Sequence, residues 1–203
     1  MQTLTPTHLV DLLPRPSERN RLLLWNASVV AAAVAVTAVC AQVSIPLGFT
    51  PVPLTLQTFA VLLSGAALGP RRGALAQALY WCVGAVGLPV FSDGSGGWDA
   101  ASGATFGYLA GFVLAAVTVG WLSGRGNDRN VVSSLSAMVL ATSLIYVCGA
   151  LWLSRSLGIP LATGERNAIS LGVAPFLAGD AIKVLAASLV APGVWALAQP
   201  RTK

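Results

Sequence analysis

The chain has 203 residues, of which 55% are hydrophobic and 9% charged, with a formal net charge of +5. A soluble domain carries roughly 25% charged residues, so this composition excludes that class. The sequence predicts an integral membrane protein. The net charge does not indicate nucleic-acid binding, which requires a basic patch on a folded polar face.

The three cysteines, Cys40, Cys82 and Cys148, lie in apolar stretches, which favours small buried side chains over metal ligands or disulfides.

Taken in chain order, the first predicted unit is a polar tail over residues 1–24, in which we find no removable signal peptide. Residues 25–198 form the predicted membrane domain, and 199–203 a second short tail. The expected fold is all-α with six transmembrane helices, at 25–43, 53–69, 73–90, 105–123, 131–153 and 173–198. Pro-Arg-Arg at 70–72 is predicted to end the second helix and precede the third.

The distribution of basic residues predicts that both termini are cytoplasmic. With the amino terminus inside, nine basic residues lie in cytoplasmic segments: Arg15, Arg19, Arg21, Arg71, Arg72, Arg125, Arg129, Arg201 and Lys203. The segments left outside carry Arg155 and Arg166 alone. The excess of basic residues on cytoplasmic loops favours this orientation, and an even number of helices agrees with it.

Three longer connections are then expected on the external side. We call them loop 1 (44–53, SIPLGFTPVP), loop 2 (91–104, FSDGSGGWDAASGA) and loop 3 (154–171). Long ordered loops on one side of a compact membrane protein indicate a lid or a binding mouth, although plain connections are the alternative.

Two charges interrupt the last apolar segment, in the stretch PFLAGDAIKVLAAS. Asp180 and Lys183 are three residues apart, so they share a helix face and are close enough to interact. Charged residues in a membrane usually face a bundle interior, a cavity or a partner. Two interpretations are open: a polar site at the base of an externally open pocket, or a structural salt bridge.

Further polar side chains lie near the predicted external ends of helices two, three and four. They include Thr55, Gln57, Tyr80 and Tyr108. Taken singly, each of these residues is explained by a hydrogen bond between helices. Together with Asp180 they outline a site for a small polar heterocycle or carboxylate.

The sequence contains no arrangement of residues that indicates an enzyme active site. The single histidine, His8, lies in the amino-terminal tail, so no Ser-His or Cys-His pair can form within the bundle. Neither lysine follows a Gly-x-x-x-x-Gly run, so the chain lacks an ATPase phosphate loop. Uphill transport would therefore need an ion gradient or another subunit. We expect no metal site and no cofactor.

The first helix carries a stripe of small residues. Ala27, Ala31 and Ala35 recur every four residues, and such stripes let helices approach closely in membranes. The helix receiving this face belongs either to a partner protein or to the same chain.

Several stretches together resemble a known family. They are IPLGFTPVPLTLQTFAVLLSGAALGPRRGALAQALYWCVGAVGLPVF, then SGGW, GATFGYLAGFVLAA and PFLAGDAIK. In this order they resemble the BioY family, the biotin-specific substrate-capture component of energy-coupling factor transporters. The resemblance covers roughly residues 27 to 190.

The resemblance implies a six-helix protein of the bacterial cytoplasmic membrane that binds biotin from outside, with loop 1 as a lid. It implies association with a transmembrane coupling protein and two cytoplasmic ATPases. The stripe of Ala27, Ala31 and Ala35 would then dock on the coupling protein. Membrane lipid is the remaining expected partner.

The same resemblance suggests roles for the candidate site residues. Asp180 would accept from the ureido N–H groups of biotin, and Lys183 would donate to its carbonyl or hold Asp180 charged. Tyr80, Trp81 and Phe59 would supply apolar walls. Loop 2 has no basic residue, so Ser95 or the backbone amides of Gly96 and Gly97 would have to bind the ligand carboxylate.

Two other functions stay open at this point. One is capture of a different vitamin by a component of the same type. The other is a self-contained ion-driven carrier, in which Asp180 changes protonation during transport. An intramembrane enzyme ranks last.

Overall fold

The computed structural model describes residues 6–198, so the predicted carboxyl-terminal tail at 199–203 lies outside the described residues. Seven α-helices follow in chain order: α1 Arg19–Gln42, α2 Gln57–Ala85, α3 Trp98–Ser102, α4 Phe106–Ser123, α5 Val131–Leu157, α6 Ala168–Gly172 and α7 Leu177–Ala198. Two short strands, β1 Ser44–Ile45 and β2 Leu54–Thr55, pair antiparallel across loop 1. Apart from this ribbon the fold is helical, as predicted.

The helix α2 contains the second and third predicted segments. Its backbone breaks at Gly69, where φ is +81°. This conformation suits a residue without a Cβ atom, and Pro70 then begins the second arm with φ already fixed for a helix. The arms 57–68 and 70–85 fold back on each other. Two hydrogen bonds join them: Gln77 Nε2 donates to Ser64 Oγ at 2.9 Å, and Gln57 Nε2 donates to the Tyr80 hydroxyl at 2.7 Å. The two arms form an antiparallel helical hairpin.

Four helical stretches are long and apolar enough to cross a membrane: Arg19–Gln42, Phe106–Ser123, Val131–Leu157 and Ala168–Ala198. Each arm of α2 is shorter than the roughly 17–25 residues that a spanning helix needs. The helix α1 begins at Arg19, so its first turn and a half lies in the stretch predicted as tail.

The helices approach closely where glycines face a neighbour. A Cβ atom on Gly65 would lie 2.8 Å from the backbone of Ala116, and one on Gly111 would lie 2.8 Å from Ile145. These contacts bring α2 against α4 and α4 against α5, and the largest fully buried side chains, including Tyr80, lie in the core they form. The helix α1 packs on the outside of this core, and three of its residues are buried.

Candidate functional site

A cavity of about 550 Å³ lies where loops 1 and 2 meet the adjoining ends of α2, α4 and α7 and the middle of α5. Its apolar wall includes Phe91, Leu109, Phe112, Ile145 and Phe176. The volume and the mix of many apolar with few polar groups are typical of small-molecule sites.

The polar floor of the cavity is built around Asp180 in the first turn of α7. Lys183 Nζ lies 2.6 Å from Asp180 Oδ1, and the Tyr146 hydroxyl of α5 donates to Asp180 Oδ2 at 2.6 Å. Asp180 is 7% exposed. Because the carboxylate is bonded on both oxygens and lies near the amino terminus of a helix, its charge is well stabilised.

Lys183 also connects α7 to β2, which follows loop 1. Its Nζ donates to the backbone carbonyl of Thr55, the last residue of β2. An ammonium group has three donors. Two are used here, and one is available to a molecule in the cavity.

A chain of hydrogen bonds continues from this point into both arms of α2. Thr55 Oγ1 donates to Gln57 Oε1 at 2.9 Å, and Gln57 Nε2 donates to the Tyr80 hydroxyl at 2.7 Å. The Tyr80 hydroxyl in turn donates to the carbonyl of Val90 at 3.0 Å, beside loop 2. The floor, β2 and both arms of α2 are therefore parts of one polar network, which ends at Val90, the residue before loop 2.

Six of the nine candidate binding residues line the cavity: Thr55, Gln57, Ser95, Tyr108, Asp180 and Lys183. The hydroxyl of Tyr108 is already engaged, since it donates to the carbonyl of Gly172 at 2.7 Å. Tyr80 is fully buried behind Gln57 and does not line the cavity. Tyr80 is therefore a member of the hydrogen-bond network and does not contact the space in which a ligand would lie.

Gly96 and Gly97 also lie outside the cavity lining. A Cβ atom on Gly96 would lie 2.3 Å from the carbonyl oxygen of Leu88, so the chain passes too close for a side chain there. Gly97 has φ +91°, and its N–H donates to the carbonyl of Gly84 at 2.7 Å. Both glycines shape loop 2 against the end of α2.

The sequence reasoning missed Tyr146 and the aromatic wall. Tyr146 is one of many polar residues in α5, so the sequence offered no specific signal for it. The walls expected from Phe59 and Trp81 are absent from the cavity lining, and Trp81 Nε1 instead donates to the carbonyl of Ala101 at 3.0 Å. The rotation of each helix about its axis decides which aromatic side chains face the cavity. The sequence pattern does not specify this rotation.

The small-residue stripe on α1 is not covered by the rest of the described chain. Ala27, Ala31 and Ala35 are all exposed. The buried residues of α1 are Val30, Thr37 and Ala41, which lie on another face of the helix.

Comparison with known proteins gives matches along nearly the whole chain. The BioY family model matches residues 17–200. The chain is 41% identical to the probable biotin transporter BioY of Pyrococcus horikoshii over 164 residues, covering 81% of this chain and 92% of the relative. It is also 41% identical to the biotin transporter BioY of Thermotoga maritima over 157 residues, covering 77% and 88%.

A solved structure has the same fold. The S-component for biotin from an ECF-type ABC transporter, a 2.1 Å crystal structure, matches with a TM-score of 0.77 and 26% identity, covering 89% of this chain and 95% of that one. The family match and this shared fold agree with the resemblance carried by loop 1, loop 2 and PFLAGDAIK. The chain belongs to the BioY family, a family of multi-pass membrane transport proteins.

Proposed function

We propose that this protein is the high-affinity biotin-binding S component of an energy-coupling factor transporter, and that it captures biotin in the cavity above Asp180. The observation that carries the proposal is the hydrogen-bonded group of Asp180, Lys183 and Tyr146 at the floor of that cavity. Biotin is proposed as the ligand because the relatives are named biotin transporters. The hydrogen-bonding groups at the cavity floor are complementary to its ring.

The ureido ring of biotin presents two N–H donors and one carbonyl acceptor. Each carboxylate oxygen of Asp180 has a second lone pair beyond its bond to Lys183 or Tyr146, so the group can accept from the ureido N–H groups. The unused donor of Lys183 suits the ureido carbonyl. The bicyclic ring and its chain would then pack on the apolar wall that includes Phe112 and Phe176.

The site residues proposed from sequence divide by role. Asp180, Lys183, Thr55, Gln57 and Tyr108 line the cavity and are proposed to contact the ligand or to position its contacts. Tyr80 is proposed to act through Gln57, to which it is bonded. Gly96 and Gly97 are proposed to set the path of loop 2. The protein would need no cofactor or metal for this binding step.

In the membrane, we propose six spans with both termini in the cytoplasm. The antiparallel hairpin of α2 supports this arrangement, because it places Arg71 and Arg72 at its turn. Its arms are each shorter than a typical span, so we propose that they form the second and third spans together with the residues that adjoin them. The predicted tail, membrane domain and carboxyl-terminal tail keep their proposed boundaries at 1–24, 25–198 and 199–203. The bacterial cytoplasmic membrane is the proposed location.

Import would require partners, namely a transmembrane coupling protein and two cytoplasmic ATPases. The exposed stripe of Ala27, Ala31 and Ala35 is the proposed docking face, because three small residues leave room for close approach of a partner helix.

Calorimetry of the purified full chain with biotin and with desthiobiotin tests the proposed function. Desthiobiotin retains the ureido ring, so both ligands are expected to bind, biotin more tightly. Absence of biotin binding at micromolar ligand would contradict the proposal. Uptake by the purified protein alone, dependent on pH or an ion gradient, would favour the self-contained carrier instead.

A further inference from the structure

The mouth of the cavity bears a charge that does not suit an anionic ligand. Asp93 of loop 2 lines the cavity together with Asp180 and Lys183. Among the described residues that line it, Lys183 is the one cation, and its charge is matched by Asp180 at 2.6 Å. The carboxylate of Asp93 therefore leaves the cavity with a net negative charge.

Several donors of loop 2 that could offset this charge are already used within the protein. The N–H of Gly94 donates to Gln42 Oε1 at 3.0 Å, and the N–H of Ser95 donates to the carbonyl of Ser92 at 3.1 Å. The Ser95 hydroxyl also donates to Ser92, at 2.7 Å, and the N–H of Gly97 is bonded to Gly84. Of the donors expected for a ligand carboxylate, the Ser95 hydroxyl and the Gly97 N–H are thus already used within the protein.

The position of Asp93 is itself unusual. Within residues 6–198 it is the one non-glycine residue with positive φ, at +57°. Aspartate and asparagine tolerate this left-handed conformation better than most residues. An Asp93→Asn variant therefore keeps the backbone of loop 2 while removing the charge.

Basic residues of loop 3 do not change this balance at the cavity. Arg166 does not line the cavity and instead lines a neighbouring shallow groove with Phe49 and Glu165, which adjoins the cavity at Gly48. Arg155 is exposed near the end of α5 and is absent from the cavity lining.

We infer that the site takes ureido-ring ligands whose side chain ends in a neutral or cationic group, such as amides of biotin, at least as tightly as biotin itself. This inference rests on the proposed function, because it places the ring at Asp180 and the end of the side chain near Asp93. A carboxylate at that end is repelled by Asp93, and an ammonium group is attracted.

The test uses the purified full chain and three ligands that share one ring: biotin, biotinamide and biotinyl-ethylenediamine, which are anionic, neutral and cationic. Dissociation constants are measured at about 20 mM and at 500 mM salt. At low salt we expect biotinamide to bind roughly 3-fold tighter than biotin, and the cationic amide roughly 10-fold tighter. High salt should reduce these differences, because it screens exposed charges.

Asp93→Asn is expected to tighten biotin binding roughly 3-fold at low salt and to leave biotinamide unchanged. The matched control is Asp99→Asn, which removes the same charge from the same loop at a residue that does not line the cavity. It should leave the order of the three ligands as in the unaltered protein.

Three results would overturn the inference: tighter binding of biotin than of biotinamide, an unchanged ligand order in Asp93→Asn, or a selective loss of biotin binding in Arg166→Gln. The last would show that Arg166 pairs with the ligand carboxylate. Failure of all three ligands to bind would instead refute the proposed function. The two failures are therefore distinguishable.

Discussion

At the scale of single residues, the group formed by Tyr146, Asp180 and Lys183 explains how charge is accommodated in an apolar helix. Each carboxylate oxygen of Asp180 accepts one short hydrogen bond from the protein. A buried carboxylate without such partners would carry a large desolvation cost. The same bonds fix the direction of the remaining lone pairs, which makes the group suitable for recognising a ligand with two N–H donors.

Asp180→Asn should weaken biotin binding by at least about 30-fold. Truncating one partner of a buried charged pair costs about 2–5 kcal/mol, and the new amide would direct N–H groups at the ligand donors. Calorimetry of the purified variant measures the loss. Asp99→Asn serves as the control, since it removes an exposed carboxylate outside the cavity lining. Unchanged affinity in Asp180→Asn would mean that Asp180 has a structural role only.

Tyr146→Phe should weaken biotin binding roughly 10-fold, because it removes the hydroxyl that orients Asp180 Oδ2. Hydrogen bonds to charged groups contribute about 1.5–3 kcal/mol. A double-mutant cycle with Asp180→Asn is the informative measurement, and we expect a coupling of about 1 kcal/mol or more. The hydroxyl of Tyr108 bonds to Gly172 instead, so Tyr108→Phe should be additive with Asp180→Asn. If the losses of affinity in Tyr146→Phe and Asp180→Asn simply add, Tyr146 does not act by orienting Asp180.

At the scale of elements, the break in α2 decides where the site residues lie. Because the two arms run antiparallel, Gln57 at the start of one meets Tyr80 near the end of the other. A continuous helix of the same length would separate these residues by roughly 34 Å, at 1.5 Å per residue. The turn at Gly69 therefore brings the polar residues of both arms to the same end of the molecule as Asp180.

Gly69→Ala should destabilise the protein. Its φ of +81° costs an alanine about 1–2 kcal/mol, and the added Cβ would lie 2.7 Å from the ring of His8. We expect the apparent Tm to fall by about 2–8 °C in a thermal unfolding experiment. Gly193→Ala is the matched control, because nothing lies within 4 Å of its Cβ position inside α7 and its φ is not positive. An unchanged Tm for Gly69→Ala would contradict this account of the hairpin.

At the scale of the whole molecule, the proposed ligand site and the proposed docking face occupy different surfaces. The cavity is enclosed by loops 1 and 2 with α2, α4, α5 and α7, whereas the stripe of Ala27, Ala31 and Ala35 is exposed on α1. The buried face of α1 is narrow, so its outer face is available to another protein or to lipid. This separation predicts that binding and partner-driven import can be uncoupled by substitution.

Ala31→Leu should leave biotin affinity within about 2-fold of the unaltered protein while strongly reducing ATP-driven uptake with the coupling proteins. A large side chain on a small-residue stripe prevents close helix approach. Uptake into vesicles containing the full complex, together with calorimetry, separates the two effects. Ala186→Leu makes the same change at an exposed position of α7 and should preserve uptake. Normal uptake in Ala31→Leu would exclude this face as the docking surface.

The sequence alone determined the membrane class, the approximate positions of the long helices, the break near Pro70 and the pairing of Asp180 with Lys183, although α1 begins at Arg19 rather than at the predicted residue 25. These features depend on composition and local spacing, since charges three residues apart on one helix must share a face. Only the tertiary structure decided that Tyr146 bonds to Asp180, that Tyr80 lies buried behind Gln57, and that the N–H groups of Gly94, Ser95 and Gly97 are already used. Those contacts join residues distant in sequence, and they depend on how each helix is rotated and how each loop folds back.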